Sequence, residues 1–353
     1  MKFFPTTQQN KNKSMKQKTK LSQQPANVSR QTATPAPPNM QTILATTDFS
    51  DGSRAGVRYA ITLVEKLNAT VVLLHVVEPP ARMAGMESVV LARTDAEDAG
   101  LARAQLANLA KSEVGSAVTV TTSVRTGKPF HEITTAAREG AADLIVIATH
   151  GHTGVERALL GSTAERVVRH APCPVLIVPT RQLPKRAGKT RPFKLKKILV
   201  PIDFSTISKD ALPYALLLAS HFGAELVLLH IVEKFPIDYL LGGELAHQTT
   251  VPMLKQAEVD LERMAGELTK GTGVKTTVVI RDGKPFAEIC DAAKTGDTDL
   301  IVLTTHGYTG LKHVWLGSTA ERVVRQAPCP VLVVRELEHE VVSASPSPRK
   351  KSR

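Results

Sequence analysis

Short apolar runs rich in β-branched residues alternate along this chain with longer stretches whose apolar positions recur every three or four residues. Ile43–Thr47 is one such short run, and Thr70–Val77 is another. Between them, Ser50 opens a stretch that places Ala55, Val57, Tyr59, Ala60, Leu63, Val64 and Leu67 on one side. The short runs predict strands and the longer period predicts helices. The same reading continues with a long helix at roughly 86–113, a strand at 118–125 and a helix at 129–140 with Pro129 in its first turn. A fully apolar strand at 143–149, a helix from Ser162 to His170 and a strand at Val175–Val178, entered through Pro172-Cys173-Pro174, complete the series. Strands alternating with helices pair in parallel through right-handed crossovers. In such sheets ligands bind at the carboxyl ends of the strands, where the strand order reverses.

The whole series then repeats. Ile43-Leu44-Ala45-Thr46-Thr47-Asp48-Phe49-Ser50 returns as Ile198-Leu199-Val200-Pro201-Ile202-Asp203-Phe204-Ser205, and Val72–Glu78 returns as Val227–Glu233, both at an offset of 155. Gly127-Lys128-Pro129-Phe130 returns as Gly283-Lys284-Pro285-Phe286, and the stretch from Leu160 to Val175 returns from Leu316 to Val331, at an offset of 156. One inserted residue accounts for the slip. The expected fold class is therefore α/β, with two tandem doubly wound five-stranded parallel-sheet domains of the Rossmann-like kind. The expected organisation is a disordered basic tail at 1–39, a first domain at 40–180, a basic linker at 181–195, a second domain at 196–335 and a disordered tail at 336–353.

Composition changes this picture little. The formal charge of +12 looks like a nucleic-acid signal until it is located. Residues 1–39 hold seven Lys/Arg and no acid, residues 180–197 hold eight and no acid, and residues 335–353 hold five against three acids. These connecting segments carry +17 together, which leaves about −5 for the two folded blocks. Nucleic acid is thus expected to make no more than weak tail contacts through counterion release. No run of about 18 uncharged apolar residues exists, so no membrane partner is expected. The basic start lacks an apolar h-region, and the three cysteines, Cys173, Cys290 and Cys329, are too scattered for a disulfide framework. Both point to the cytoplasm.

The chemistry gathers at the predicted strand ends. The fourth strand runs into His150-Gly151, and after nine intervening residues Gly161-Ser162-Thr163 starts a helix; the second copy gives His306-Gly307 and then, after nine more, Gly317-Ser318-Thr319. A glycine lets backbone N–H groups approach a ligand, and a helix N-terminus is a ready anion site. The competing reading is an ordinary capping box, with Ser162 as the cap and Glu165 at its third position. Asp48 and Asp203 end the first strand of each copy, placed either to bond a ligand or to cap the next helix. His75, His230, His150 and His306 lie near strand ends without metal-ligand spacing, and Cys173 and Cys329 sit between prolines as packing residues.

These residues resemble the universal stress proteins, in a tandem two-domain form, over about residues 41–179 and 195–335. Nucleotide-binding members of that family show Gly, two residues, Gly, nine residues, then Gly with Ser or Thr. They add an Asp at the end of the first strand and a residue, after the His of the second strand, that meets adenine through its backbone. The resemblance implies an adenine nucleotide alpha hydrolase-like fold and a first pocket of Asp48, Val76, His150, Gly151, Gly161, Ser162 and Thr163. It implies a second pocket of Pro201, Asp203, Ile231, His306, Gly307, Gly317, Ser318 and Thr319. The implied cofactor is ATP or a related adenine nucleotide, with or without Mg or Mn. The implied partner is the other domain, or a second chain in a homodimer, through the last strands Val175–Val178 and Val331–Val334.

The sequence departs from the pattern at its first glycine, which is Ala148 in one copy and Thr304 in the other, and Pro201 is matched by Thr46. A β-branched Thr304 is expected to crowd the second pocket more than Ala148 crowds the first, making the second site the weaker. The expected function is a stress-response protein that signals or protects according to nucleotide occupancy. The rival readings are slow ATP hydrolysis or nucleotidyl transfer, against which stands the absence of a Walker lysine loop, and a nucleotide-free dimeric scaffold.

Overall fold

The computed structural model describes residue 38 and residues 40–79, 95–114, 118–149, 160–180, 194–233, 243–305 and 317–335. The expected tails, most of the expected linker, and His150, Gly151, His306 and Gly307 lie outside the described residues.

The first half is built as β1 (Thr42–Thr46), α1 (Asp51–Leu67), β2 (Thr70–Val77), α2 (Asp95–Glu113), β3 (Thr119–Thr126), α3 (Pro129–Glu139), β4 (Leu144–Ala148), α4 (Ser162–His170) and β5 (Val175–Val178). The second half repeats it as β6 (Lys197–Pro201), α5 (Thr206–Lys209), α6 (Ala211–Phe222), β7 (Glu225–Val232), α7 (Gly243–Thr269), β8 (Thr276–Asp282), α8 (Pro285–Thr295), β9 (Leu300–Thr304), α9 (Ser318–Gln326) and β10 (Val331–Val334). The long first helix is here split in two, α5 and α6, at Asp210.

Local chemistry explains where elements begin and end. Ser50, extended at φ −66° and ψ 158°, caps α1 by accepting a hydrogen bond from the Ser53 N–H. Seventeen residues later Asn68 ends the helix in the left-handed region, its N–H donating to the Val64 carbonyl. Its counterpart in the second half is Gly223, also left-handed, at φ 64°. Pro129 and Pro285 each open a helix where the missing N–H costs nothing. Gly127 precedes the first of them at φ 150°, a conformation that a Cβ resists.

The strands form a single ten-stranded sheet in the order β3-β2-β1-β4-β5-β10-β9-β6-β7-β8. Within each half every pairing is parallel, and β5 meets β10 antiparallel with Leu176 opposite Leu332. The central strands β4, β5, β9 and β10 are buried at every position, the mark of a sheet covered on both faces. One apolar layer packs α1, α2, α6 and α7 on one face, through residues such as Val57, Leu106, Leu218 and Leu261. The other packs α3, α4, α8 and α9, through Ile133, Val167, Ile289 and Val323. Each fully buried Leu, Ile or Val contributes about 1.5–3 kcal/mol relative to exposure.

In each half the strand order reverses beside the first strand: β1 lies between β2 and β4, and β6 lies between β7 and β9. The carboxyl ends of those strands frame a crevice.

Candidate functional site

The crevice of the first half is a cleft of about 330 Å³. Its floor comes from the carboxyl ends of three strands, through Thr46–Asp48 after β1, Val76 and Glu78 after β2, and Ala148 and Thr149 after β4. Pro129 and Ile133 of α3 form a wall, and the turn Gly161–Ala164 closes one end. The second half carries a matching cleft of about 380 Å³, lined by Pro201, Asp203, Ile231, Glu233, Thr304 and the turn Gly317–Ala320. Of the sequence-predicted site residues, Asp48, Val76, Gly161, Ser162 and Thr163 meet in the first cleft. Pro201, Asp203, Ile231, Gly317, Ser318 and Thr319 meet in the second.

Asp48 is held by the helix that it precedes. Its Oδ1 accepts from the Ser50 N–H at 3.1 Å and the Ser50 hydroxyl at 2.6 Å, while Ser50 caps α1. Asp203 repeats the pair on Ser205 at 3.0 and 2.6 Å. The sequence left capping and ligand contact open for this aspartate; the cap proper is the serine, and the carboxylate anchors the cap while lining the cleft. Between them Phe49 and Phe204 sit at φ 66° and 63°, left-handed and rare for a bulky side chain. Each ring packs on a histidine, Phe49 on His75 at 4.4 Å and Phe204 on His230 at 4.6 Å between centroids. His75 Nδ1 donates to the Thr47 carbonyl at 2.8 Å and His230 Nδ1 to that of Ile202 at 2.7 Å. These two histidines brace the turn after the first strand.

The turn at the start of α4 differs from the capping-box reading. Gly161, not Ser162, is the N-cap, and no side chain caps the helix. Ser162 is already the first helical residue, which puts Glu165 in the fourth position, where it pairs with Arg169 at 2.5 Å and with Arg325 of α9 at 3.7 Å. The Gly161 N–H is spoken for, since it donates to the Thr149 carbonyl at 2.8 Å, and the Gly317 N–H donates to that of Thr305 at 2.7 Å. These two glycine amides therefore do not stand bare in the clefts. The first intrahelical bond runs from Glu165 N–H to the Gly161 carbonyl at 2.9 Å. The N–H groups of Ser162, Thr163 and Ala164 consequently have no partner among the described residues, and all three residues line the cleft. Ser318, Thr319 and Ala320 of α9 repeat the arrangement.

The second cleft is the larger of the two, although Thr304 takes the place of Ala148 in its lining. Both residues are buried, Thr304 at 7% and Ala148 at 8% exposure.

Sequence reasoning missed Glu78 and Glu233, although both stand in the repeat that it quoted. They lie two residues beyond Val76 and Ile231, and residues two apart share a strand face. No Lys, Arg or His is found among the described lining residues of either cleft. Each cleft thus pairs the positive end of a helix with two carboxylates at the other side. Cys173 and Cys329 are buried, and desolvation pushes each thiol up to about 12. No group of three or more His, Cys, Asp or Glu residues is placed to hold a metal ion among the described residues, and none of the helices searched is long and apolar enough to cross a membrane.

A doubled sheet with a matching cleft at each reversal of strand order defines the chain as a tandem Rossmann-like α/β protein. The universal stress protein family matches residues 39–179 and 194–335, and the chain belongs to that family. A universal stress protein of Methanocaldococcus jannaschii is 35% identical over 145 residues, covering 41% of this chain and 85% of its own length. One from Mycolicibacterium smegmatis is 27% identical over 297 residues, 83% of this chain and 96% of its own. Matches to three mycobacterial members span 62% of their lengths. Among solved structures, a universal stress protein from Archaeoglobus fulgidus aligns with a TM-score of 0.58 at 22% identity, covering 86% of this chain and all of that one. A member solved in complex with cAMP aligns at 22% identity over 39% of this chain with a TM-score of 0.28, which carries no ligand assignment to this chain.

Proposed function

We propose that each cleft binds ATP or a related adenine nucleotide, and that the protein acts in the stress response through occupancy, by signalling or protection, rather than by fast turnover. The supporting observation is the cleft at the strand-order reversal, closed at one end by three helix N–H groups that have no partner among the described residues. Phosphates would lie against the N–H groups and hydroxyls of Ser162 and Thr163, where donors and helix dipole both favour an anion. Asp48 would face the sugar. A Mg or Mn ion would draw most of its ligands from phosphate oxygens and water, with Asp48 as its protein ligand, and would offset the carboxylates. The β5–β10 pairing supports the two domains working as one unit. Cytoplasmic residence belongs to the same reading.

Heat-released ligand from the purified chain is expected to contain an adenine nucleotide by mass spectrometry, and calorimetric titration is expected to give two sites per chain. The decisive variant is Ser162→Asp combined with Ser318→Asp. An acid in the first helical turn supports the helix by about 0.3–1 kcal/mol, yet its charge opposes phosphate. Affinity is expected to fall by about 10- to 100-fold with no loss of thermal stability. Unchanged ATP affinity in this folded variant sinks the reading.

A further inference from the structure

Beside each cleft an arginine rests on an aromatic ring. In the first half Cζ of Arg166, on α4, lies 5.0 Å from the centre of the Phe130 ring, on α3. In the second half Cζ of Arg322, on α9, lies 4.8 Å from that of Phe286, on α8. Both rings are half-buried and both arginines are exposed. Arg169 and Arg325, further along the same helices, are committed to glutamates. Arg166 and Arg322 make no hydrogen bond or ion pair with another described residue.

Their place on the helix gives these two side chains a direction. Ser162 and Arg166 stand four apart on α4, as Ser318 and Arg322 do on α9, so each pair shares a helix face. Long side chains on a helix lean towards its N-terminus. Each arginine is thus rooted about one turn, roughly 5.4 Å, behind the N–H groups that close the cleft, and leans back towards its rim. The ring beneath it belongs to the residue after Pro129 or Pro285, which line the cleft walls. Neither arginine lines the cleft itself. A guanidinium stacked by its face keeps its in-plane N–H donors free at the edge. An anion there gains charge-assisted bonds while the stack stays in place. Because the ring already orders the side chain, less entropy is lost when the anion arrives.

That edge separates nucleotides by the length of their phosphate chain. In the nucleotide reading above, on which this inference rests, the phosphate next to the sugar meets the N–H groups of the first helical turn. The described lining of each cleft holds no cation, so further phosphates find none within it. Running on past the turn brings them to Arg166 or Arg322, and a monophosphate ends short of it. We infer that Arg166 and Arg322 hold the outer phosphates of a nucleoside di- or triphosphate and thereby favour ATP and ADP over AMP.

The test is calorimetric titration of the full chain with ATP, ADP and AMP, Mg present throughout, beside the paired variant Arg166→Gln with Arg322→Gln. The native chain is expected to bind ATP about tenfold or more tighter than AMP. In the variant that ratio is expected to fall by about tenfold, with AMP affinity unchanged. The ratio is internal to each protein and does not depend on the fraction that is folded. A native chain without preference for ATP over AMP, or a ratio unaltered by the variant, overturns the inference alone. Equal losses for ATP and AMP make the arginines mere braces between neighbouring helices and overturn it equally. A native chain that binds none of the three overturns the nucleotide site itself, and this inference with it.

Discussion

Asp48 shows how a single carboxylate serves stability and site geometry together. Because its Oδ1 anchors Ser50, replacing it by alanine is expected to cost about 1–3 kcal/mol in urea unfolding. Asn retains an acceptor at that oxygen, so Asp48→Asn is expected to recover most of the loss, and a penalty as large as that of alanine would argue against the anchoring role. Gly127 sets a different kind of constraint. Its φ of 150° strains any other residue, and a Cβ would lie 3.0 Å from Glu132 Oε1. Gly127→Ala is expected to destabilise by about 1–3 kcal/mol in the same assay. The thiols follow from burial. With Cys173 and Cys329 raised to about 12 and Cys290 to about 11, each is protonated at pH 8 in the native chain, and labelling speeds up only as pH rises towards those values. Native protein at pH 8 is expected to react with a disulfide reagent far more slowly than the denatured chain does. Much of this was legible in the residues. Asp48 and Ser50 stood out as a cap-like pair, and the cysteines as packing residues between prolines. What could not be read was the division of labour. Whether Gly161 or Ser162 caps α4 depends on where the chain leaves Thr149, and Glu78 gains meaning only once its strand face is known.

At the scale of elements the duplication supplies its own controls. Where residues are described, strand and helix positions followed from periodicity with small errors: β4 is Leu144–Ala148 rather than 143–149, and β3 is Thr119–Thr126 rather than 118–125, while residues 86–94 of the expected long helix lie outside the described residues. Strand ends differ by a residue because the terminal residues carry the same side chains whether or not a neighbour pairs with them. The pairing of β5 with β10 was less legible. A four-residue apolar run shows that a strand is buried and says little about its partner or direction. The two copies also solve one problem differently, since the first helix ends on a left-handed Asn68 and its counterpart on a left-handed Gly223. Gly pays less for that conformation than Asn does. Asn68→Gly is accordingly expected to raise stability by about 0.5 kcal/mol, while Gly223→Val is expected to lower it by more, both read from urea midpoints.

For the whole molecule, the junction between halves is a short apolar strand pair flanked by charge. Leu176 and Leu332 face each other across it, and Arg325 bridges Glu321 at 2.7 Å and Glu165 of the other half at 3.7 Å. These half-buried pairs remain partly open to solvent and contribute about 0–1 kcal/mol. Burial of the strands carries the weight. Leu332→Ala, at a position 1% exposed, is expected to cost about 2–5 kcal/mol. Calorimetry is expected to show one thermal transition for the native chain. Two separate native transitions would mean that the halves unfold independently despite the continuous sheet.

The reversal of chain direction between β5 and β10 has a consequence for whatever reads this protein. The carboxyl edges of the two halves point opposite ways, so the two clefts open on opposite rims of the molecule. A flat surface or a one-sided adaptor can inspect only one rim at a time. Sensing both at once takes a clamp that wraps around the long edge, or two copies of the same reader docked back to back.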